Sequence, residues 1–123
     1  NLKFLDEWNN RRANVANTYF ENLDFEKVTL PFLGKWTISA WHLFVIKAKK
    51  RDLLADKLNK SGVQTLMHYP LPPHRQKAYS RGGNFGSLAS AENLADSVIS
   101  LPIGPQMKLE EAEFVSMKVN QFA

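Results

Sequence analysis

The sequence predicts an α+β fold in which a small sheet of three short strands is flanked by about four helices. Two helical stripes and one densely apolar strand carry that expectation. Leu5, Trp8, Val15, Tyr19 and Leu23 recur at steps that add up to threes and fours, and Ala112, Val115, Val119 and Phe122 repeat the pattern near the C-terminus. Between them, Trp41 to Ala48 is apolar on both alternating faces and rich in branched and aromatic residues. Shorter signals complete the order helix, strand, helix, strand, helix, strand, helix.

The first helix interleaves its apolar positions with Arg11, Arg12, Asn14 and Asn17, so one face seeks a partner surface. No capping residue or initiator methionine precedes it, and a chain that starts inside a helical pattern is expected to be the trimmed part of something longer. Asp24 to Ser39 carries Pro31 and Gly34 within the broken apolar pieces Val28-Thr29-Leu30 and Phe32-Leu33, which predicts a loop with short extended segments. Trp41 to Ala48 then reads as a central, buried strand. Arg51 to Ser61 follows as a helix with Leu53, Leu54 and Leu58 on one side, and Gly62 stands where a left-handed C-terminal cap is expected.

Val63 to His68 reads as a second strand that runs into the proline-rich segment. The three glycines of Ser80 to Ser87 predict a mobile loop over 80–88. Ser90 is placed as the N-cap of a short helix, Ala91 to Asp96, and Val98 to Ile103 as a third strand stopped by proline. Gly104-Pro105 turns the chain into a closing helix, Lys108 to Gln121, whose Glu110, Glu111 and Glu113 sit near its positive N-terminal end.

With 123 residues and 44% hydrophobic content, the chain fits one compact domain over 1–123. Its net charge of +4 arises from 16 basic and 12 acidic residues spread along the chain, without the basic arm that nucleic acid would require. The absence of cysteine excludes a disulfide framework and thiolate chemistry. No apolar run reaches the length of a membrane span and no signal peptide opens the chain. A soluble cytoplasmic protein, without membrane or nucleic-acid partners, is the resulting expectation.

The segment most suggestive of function is His68-Tyr69-Pro70-Leu71-Pro72-Pro73-His74-Arg75-Gln76. Each proline fixes φ and pushes its predecessor toward extended geometry, so the run is stiff without being regular. Such a run presents side chains to a ligand, or it is a connector whose histidines are merely solvated; both readings stand on the residues alone. His42, His68 and His74 share no metal-ligand spacing, and His42, between Trp41 and Leu43, reads as a hydrogen-bonded core histidine. Asp6-Glu7, Glu110-Glu111 and Glu113 lie on helical stretches where a solvated or dipole-complementing role suffices. The serines lack a nucleophile elbow, so no catalyst is evident in this chain by itself. Among Trp36, Trp41, Tyr69 and Tyr79, the two tyrosines are the better ligand-stacking candidates because they flank the rigid run.

An ordered set of these residues carries a resemblance. Trp41-His42-Leu43-Phe44-Val45-Ile46, Arg51-Asp52, Gly62-Val63-Gln64-Thr65, His68-Tyr69-Pro70-x-Pro72-Pro73-His74-x-Gln76-x-Ala78-Tyr79 and Leu101-Pro102-Ile103 make the chain similar to the C-terminal part of the DegT/StrS-type pyridoxal-phosphate sugar aminotransferases. The two successive prolines before His74 look most like enzymes that aminate carbon 3 of dTDP-3-keto-6-deoxyhexoses. The resemblance implies the small domain of a fold-type-I enzyme, with a mainly antiparallel three-stranded sheet and about four helices. It implies a cofactor-binding large domain upstream, whose lysine holds pyridoxal 5'-phosphate, so that this fragment should bind no cofactor and be inactive.

The resemblance further implies a homodimer that takes glutamate and a nucleotide-linked, dTDP-type keto-deoxysugar as substrates. Carried over position by position, all five of His68, Tyr69, His74, Gln76 and Tyr79 are implied substrate-binding residues, with His68 and Tyr69 nearest the substrate and His74, Gln76 and Tyr79 as second choices that hold the loop in shape. Lys108 departs from the capping Ser, Thr or Asp that relatives have at the start of the last helix. Two alternatives remain, a regulatory relative that binds cofactor or sugar without turnover and a free-standing interaction domain that docks through its first helix.

Overall fold

The computed structural model describes residues 2–33, 39–67 and 89–123. Its elements run α1 (Leu2–Asn22), β1 (Phe44–Lys47), α2 (Arg51–Lys60), α3 (Ala89–Ser97), β2 (Val98–Leu101) and α4 (Leu109–Phe122). Among the described residues the result is a mixed fold with a small antiparallel sheet and four helices, in keeping with the hydrophobic periodicities. The glycine-rich stretch expected to form a mobile loop over 80–88 lies outside the described residues.

β1 and β2 pair antiparallel, with Phe44 opposite Leu101 and Ile46 opposite Ile99. Side chains alternate across a strand, so these four point to one face together, and all four are buried. Against that face pack Val15, Ala16 and Tyr19 of α1, Leu54 and Leu58 of α2, and Ala112, Val115 and Val119 of α4. The α4 set keeps the helical spacing read from the sequence. Leu53, expected on the inner side of α2, is instead half-exposed at 47%, because Leu54, Ala55 and Leu58 fill the space beneath the helix.

Two single-residue bridges extend the sheet. Thr29 and Lys47 exchange backbone hydrogen bonds of 2.9 Å on the outer side of β1, and Leu66 and Ser100 exchange bonds of 3.2 and 2.8 Å on the outer side of β2. The second strand expected from Val63 to His68 is therefore reduced to the Leu66 bridge among its described residues. The cause lies in how α2 ends. Gly62 adopts φ +87, and the chain closes a Schellman cap in which Gly62 N–H donates to Asn59 O (3.1 Å) and Val63 N–H to Leu58 O (2.9 Å). Thr65 N–H is also spent, on the Asn59 side chain at 3.3 Å. Donors committed to the cap cannot serve a ladder.

β1 is shorter than its apolar run. Trp41 has φ +50, the left-handed region that a bulky side chain rarely visits. Its N–H donates to Ser39 Oγ at 3.1 Å, while its ring packs 5.6 Å from Phe20 and 5.4 Å from Phe44. The turn removes residues 41–43 from the ladder, and His42 and Leu43 end exposed. His42 is thus not the core histidine expected from its neighbours.

α3 begins at Ala89, so Ser90 lies inside the helix and is not the residue before it; Ala89 and Ala91 favour helix and carry it further back. No loop separates α3 from β2. Buried Arg51 holds this junction, with Nη1 donating to Ala95 O (2.8 Å) and Val98 O (2.9 Å), while Ala48 N–H donates to Ser97 O at 2.9 Å. At the other end of the molecule Asn120 joins α4 to the end of α1. It accepts from Asp24 N–H (2.8 Å) and donates to Asn22 O (2.8 Å). No described helix is long and apolar enough to cross a membrane.

Candidate functional site

The chain reaches its proline-histidine run along residues 63–67, beside β2. The Leu66 bridge pins this approach to the sheet, two residues before His68. His68, Tyr69, His74, Gln76 and Tyr79, the residues singled out as substrate-binding, lie outside the described residues, as does Trp36.

An open cleft of about 840 Å³ borders the same approach. One wall is Gly62 to Gln64 with Leu66, a second is the end of β2 with Pro102 to Gly104, and a third is the first turns of α4, Glu110, Glu111, Phe114 and Val115. His42 and Leu43 close one side. The lining is mostly apolar, with carboxylates and the amides of Gln64 and Gln106 set into it, and it carries no lysine or arginine among the described residues. Such a surface suits an uncharged or cationic group better than an anion.

Each polar group here has a local origin. Glu110 and Glu111 occupy the first turn of α4, where a negative charge complements the helix dipole. Lys108 is the N-cap, extended at φ −80 and ψ 151, and offers no side-chain cap. The two glutamates therefore have the structural role the sequence suggested and also face the cleft, which the spacing alone did not reveal. His42 faces it because of the turn at Trp41. Among the described residues no group of three or more His, Cys, Asp or Glu could hold a metal ion.

The corner between β2 and the cleft is held from beneath by Tyr19, whose hydroxyl donates to Pro102 O and lies 3.9 Å from Met107 Sδ. Sequence periodicity identified Tyr19 as a core residue but not this contact, which spans 83 positions of chain. Burial first, and the charge of Glu111 second, push the phenol well above its ordinary range.

A pH dependence follows. The phenol ionises near pH ~10 in the unfolded chain and stays protonated in the folded one. Its contribution is fully present below that pH and declines as pH rises above it, because the unfolded state then binds fewer protons. In urea unfolding followed from neutral to alkaline pH, Tyr19→Phe should lose about 1 kcal/mol at neutral pH and show a shallower alkaline decline than the unmodified protein. Equal declines in the two proteins would remove Tyr19 as the cause.

Comparison with known proteins identifies the lineage. The chain is 47% identical over 116 residues to "Erythromycin biosynthesis sensory transduction protein EryC1" of Saccharopolyspora erythraea, covering 93% of this chain and 32% of that protein. It is 40% identical over 121 residues to "dTDP-3-amino-3,6-dideoxy-alpha-D-galactopyranose transaminase" of Aneurinibacillus thermoaerophilus, covering 98% and 33%. Among solved structures, S. venezuelae DesV superposes with a TM-score of 0.90 at 38% identity, again over 98% of this chain and 33% of the other. The chain thus spans about a third of the length of the relatives it matches, over their C-terminal part. A model of the DegT/DnrJ/EryC1/StrS aminotransferases matches residues 1–120, nearly the whole length, and this chain belongs to that family.

Proposed function

We propose that the chain is the C-terminal small domain of an aminotransferase that moves an amino group from glutamate to a nucleotide-linked, dTDP-type keto-deoxysugar. The observation that carries the reading is the unbroken likeness over residues 1–120 to a family of aminotransferases, at 40% identity to a dTDP-sugar transaminase. Pyridoxal phosphate supplies the electron sink for such chemistry. The described cleft does not fit that cofactor, since it offers glutamates and no cation for a phosphate or amine for a carbonyl. The cofactor belongs with residues elsewhere in a longer, homodimeric protein. The chain by itself has no turnover.

His68 and Tyr69 bind substrate in this reading, and His74, Gln76 and Tyr79 hold their loop in shape. What supports it locally is the approach along residues 63–67, anchored by the Leu66–Ser100 bridge, which gives the residues that follow a fixed starting point. In the longer polypeptide from the same gene, supplied with cofactor, glutamate and a dTDP-3-keto-6-deoxyhexose, amino transfer is expected. His68→Asn should lower kcat by about 10- to 100-fold without moving the unfolding midpoint. Unchanged turnover would exclude His68, and absence of transfer by a cofactor-loaded protein would overturn the enzymatic reading. A regulatory relative is the second reading, favoured by the sensory-transduction name of the 47% identical protein. It expects ligand binding with no transfer in the same assay.

A further inference from the structure

Residues 63–67 lead from the cap of α2 to His68. Val63 is buried, and its N–H closes the cap on Leu58 O. Leu66 pairs with Ser100 in a bridge that is isolated among the described residues. Two hydrogen bonds on one residue fix its place beside β2 but let the chain on either side pivot about it. A second point of attachment is what gives the chain a direction, and Thr65 supplies it: its N–H and its hydroxyl both donate to Asn59 Oδ1, at 3.3 and 3.4 Å. Asn59 lies six positions back, in the last turn of α2, and is exposed. It stands outside the hydrophobic core, and asparagine favours a helix less than alanine does, so neither packing nor helix stability accounts for it.

We propose that Asn59 is a positioning residue for substrate binding: by holding Thr65 it sets the line along which the chain passes Leu66 to His68. The proposal rests on the reading of the chain as the small domain of an aminotransferase in which His68 binds substrate. A chain advances at most about 3.5 Å per residue, so two residues beyond a pivot at Leu66 a swing of roughly ten degrees is a shift of about 1 Å. A displacement of that size at a group that orients substrate can cost on the order of 100-fold in rate. The Asn59–Thr65 contacts are long for hydrogen bonds, so the loss expected without them is smaller. α2 holds the returning chain as well, since Arg51 at its start grips the carbonyls of Ala95 and Val98. One helix thus fixes the described chain on both sides of residues 68–88, through Asn59 on the outgoing side and Arg51 on the return.

Kinetics on the longer polypeptide from the same gene test this, with cofactor, glutamate and a dTDP-3-keto-6-deoxyhexose supplied. Asn59→Ala should lower kcat/KM for the sugar by about 3- to 10-fold while the unfolding midpoint moves by less than about 3 °C. An unchanged kcat/KM overturns the proposal, and so does a loss that comes with a larger fall in the midpoint, the mark of a structural role. Asn59→Asp keeps an acceptor oxygen and should hold kcat/KM within about twofold of the unmodified protein; a loss as deep as that of Asn59→Ala overturns it. In a His68→Asn background Asn59→Ala should cost less than about twofold, because a residue that acts through His68 has nothing left to position; an undiminished loss overturns it. Where the unmodified, cofactor-loaded protein makes no transfer, the enzymatic reading fails and the variants are read by their affinity for the same dTDP-sugar. Weaker binding by Asn59→Ala only while His68 is present keeps the positioning role, equal affinity defeats it, and no binding by the unmodified protein defeats both.

Discussion

Phe44→Ala should cost the protein about 3–5 kcal/mol, a large share of the stability of a domain this size. Phe44 is fully buried, and its ring lies 4.8 Å from Tyr19, 5.3 Å from Phe20 and 5.4 Å from Trp41. Truncation removes the ring that these three share and leaves a cavity at the meeting of α1 and β1, and close-packed neighbours relax only partly into such a space. Chemical denaturation monitored by near-ultraviolet circular dichroism reads the loss directly. Phe32→Ala is the matched control, because Phe32 is 93% exposed and should shift stability by less than about 0.5 kcal/mol. A loss below about 1 kcal/mol for Phe44→Ala would show that the aromatic cluster is not a keystone of the fold.

Arg51→Ala should cost about 2–4 kcal/mol for a different reason. The side chain is 6% exposed, and its Nη1 serves the carbonyls of Ala95 and Val98, where α3 becomes β2 without a loop. Its contact with Asp52, at 2.7 Å, matters less because that carboxylate is 83% exposed and screened by water. Without the guanidinium, two carbonyls lose a charged donor in a site too tight for easy repair. Arg51→Lys keeps the charge but not the planar fork, so an intermediate loss of about 1–2 kcal/mol is expected. Faster amide exchange at Ala48, whose N–H donates to Ser97 O, should accompany both. Stability of Arg51→Ala within about 0.5 kcal/mol of the unmodified protein would refute the clamp.

How far the fold was readable depended on whether the deciding interactions were local. α2 and α4 begin and end within about a residue of their expected bounds, because a sustained apolar repeat and a C-terminal glycine are local instructions. The strands were less legible. The six residues 63–68 looked like a strand as good as β2, yet Gly62 and Asn59 claimed donors a ladder would need. Likewise Trp41 satisfied every local preference for a strand, while the aromatic contacts that bury it go with a positive φ and turn His42 outward.

The expectation of a substrate site around His68 rests on the ordered motif alone, since isolated histidines, tyrosines and prolines admit a solvated connector equally well. Glu110 and Glu111 fit a helix dipole from sequence alone, and only the three-dimensional arrangement puts them on the wall of a cleft.

What the sequence determined by itself is the helical framework, the identity of the core stripes and the family, because periodicity, caps and ordered motifs are written along the chain. The tertiary structure alone decided which apolar runs become strands, which face His42 takes, and what Tyr19 and Arg51 hold. These outcomes turn on competition for hydrogen-bond donors and for space between segments far apart in the chain, and no local window contains both competitors.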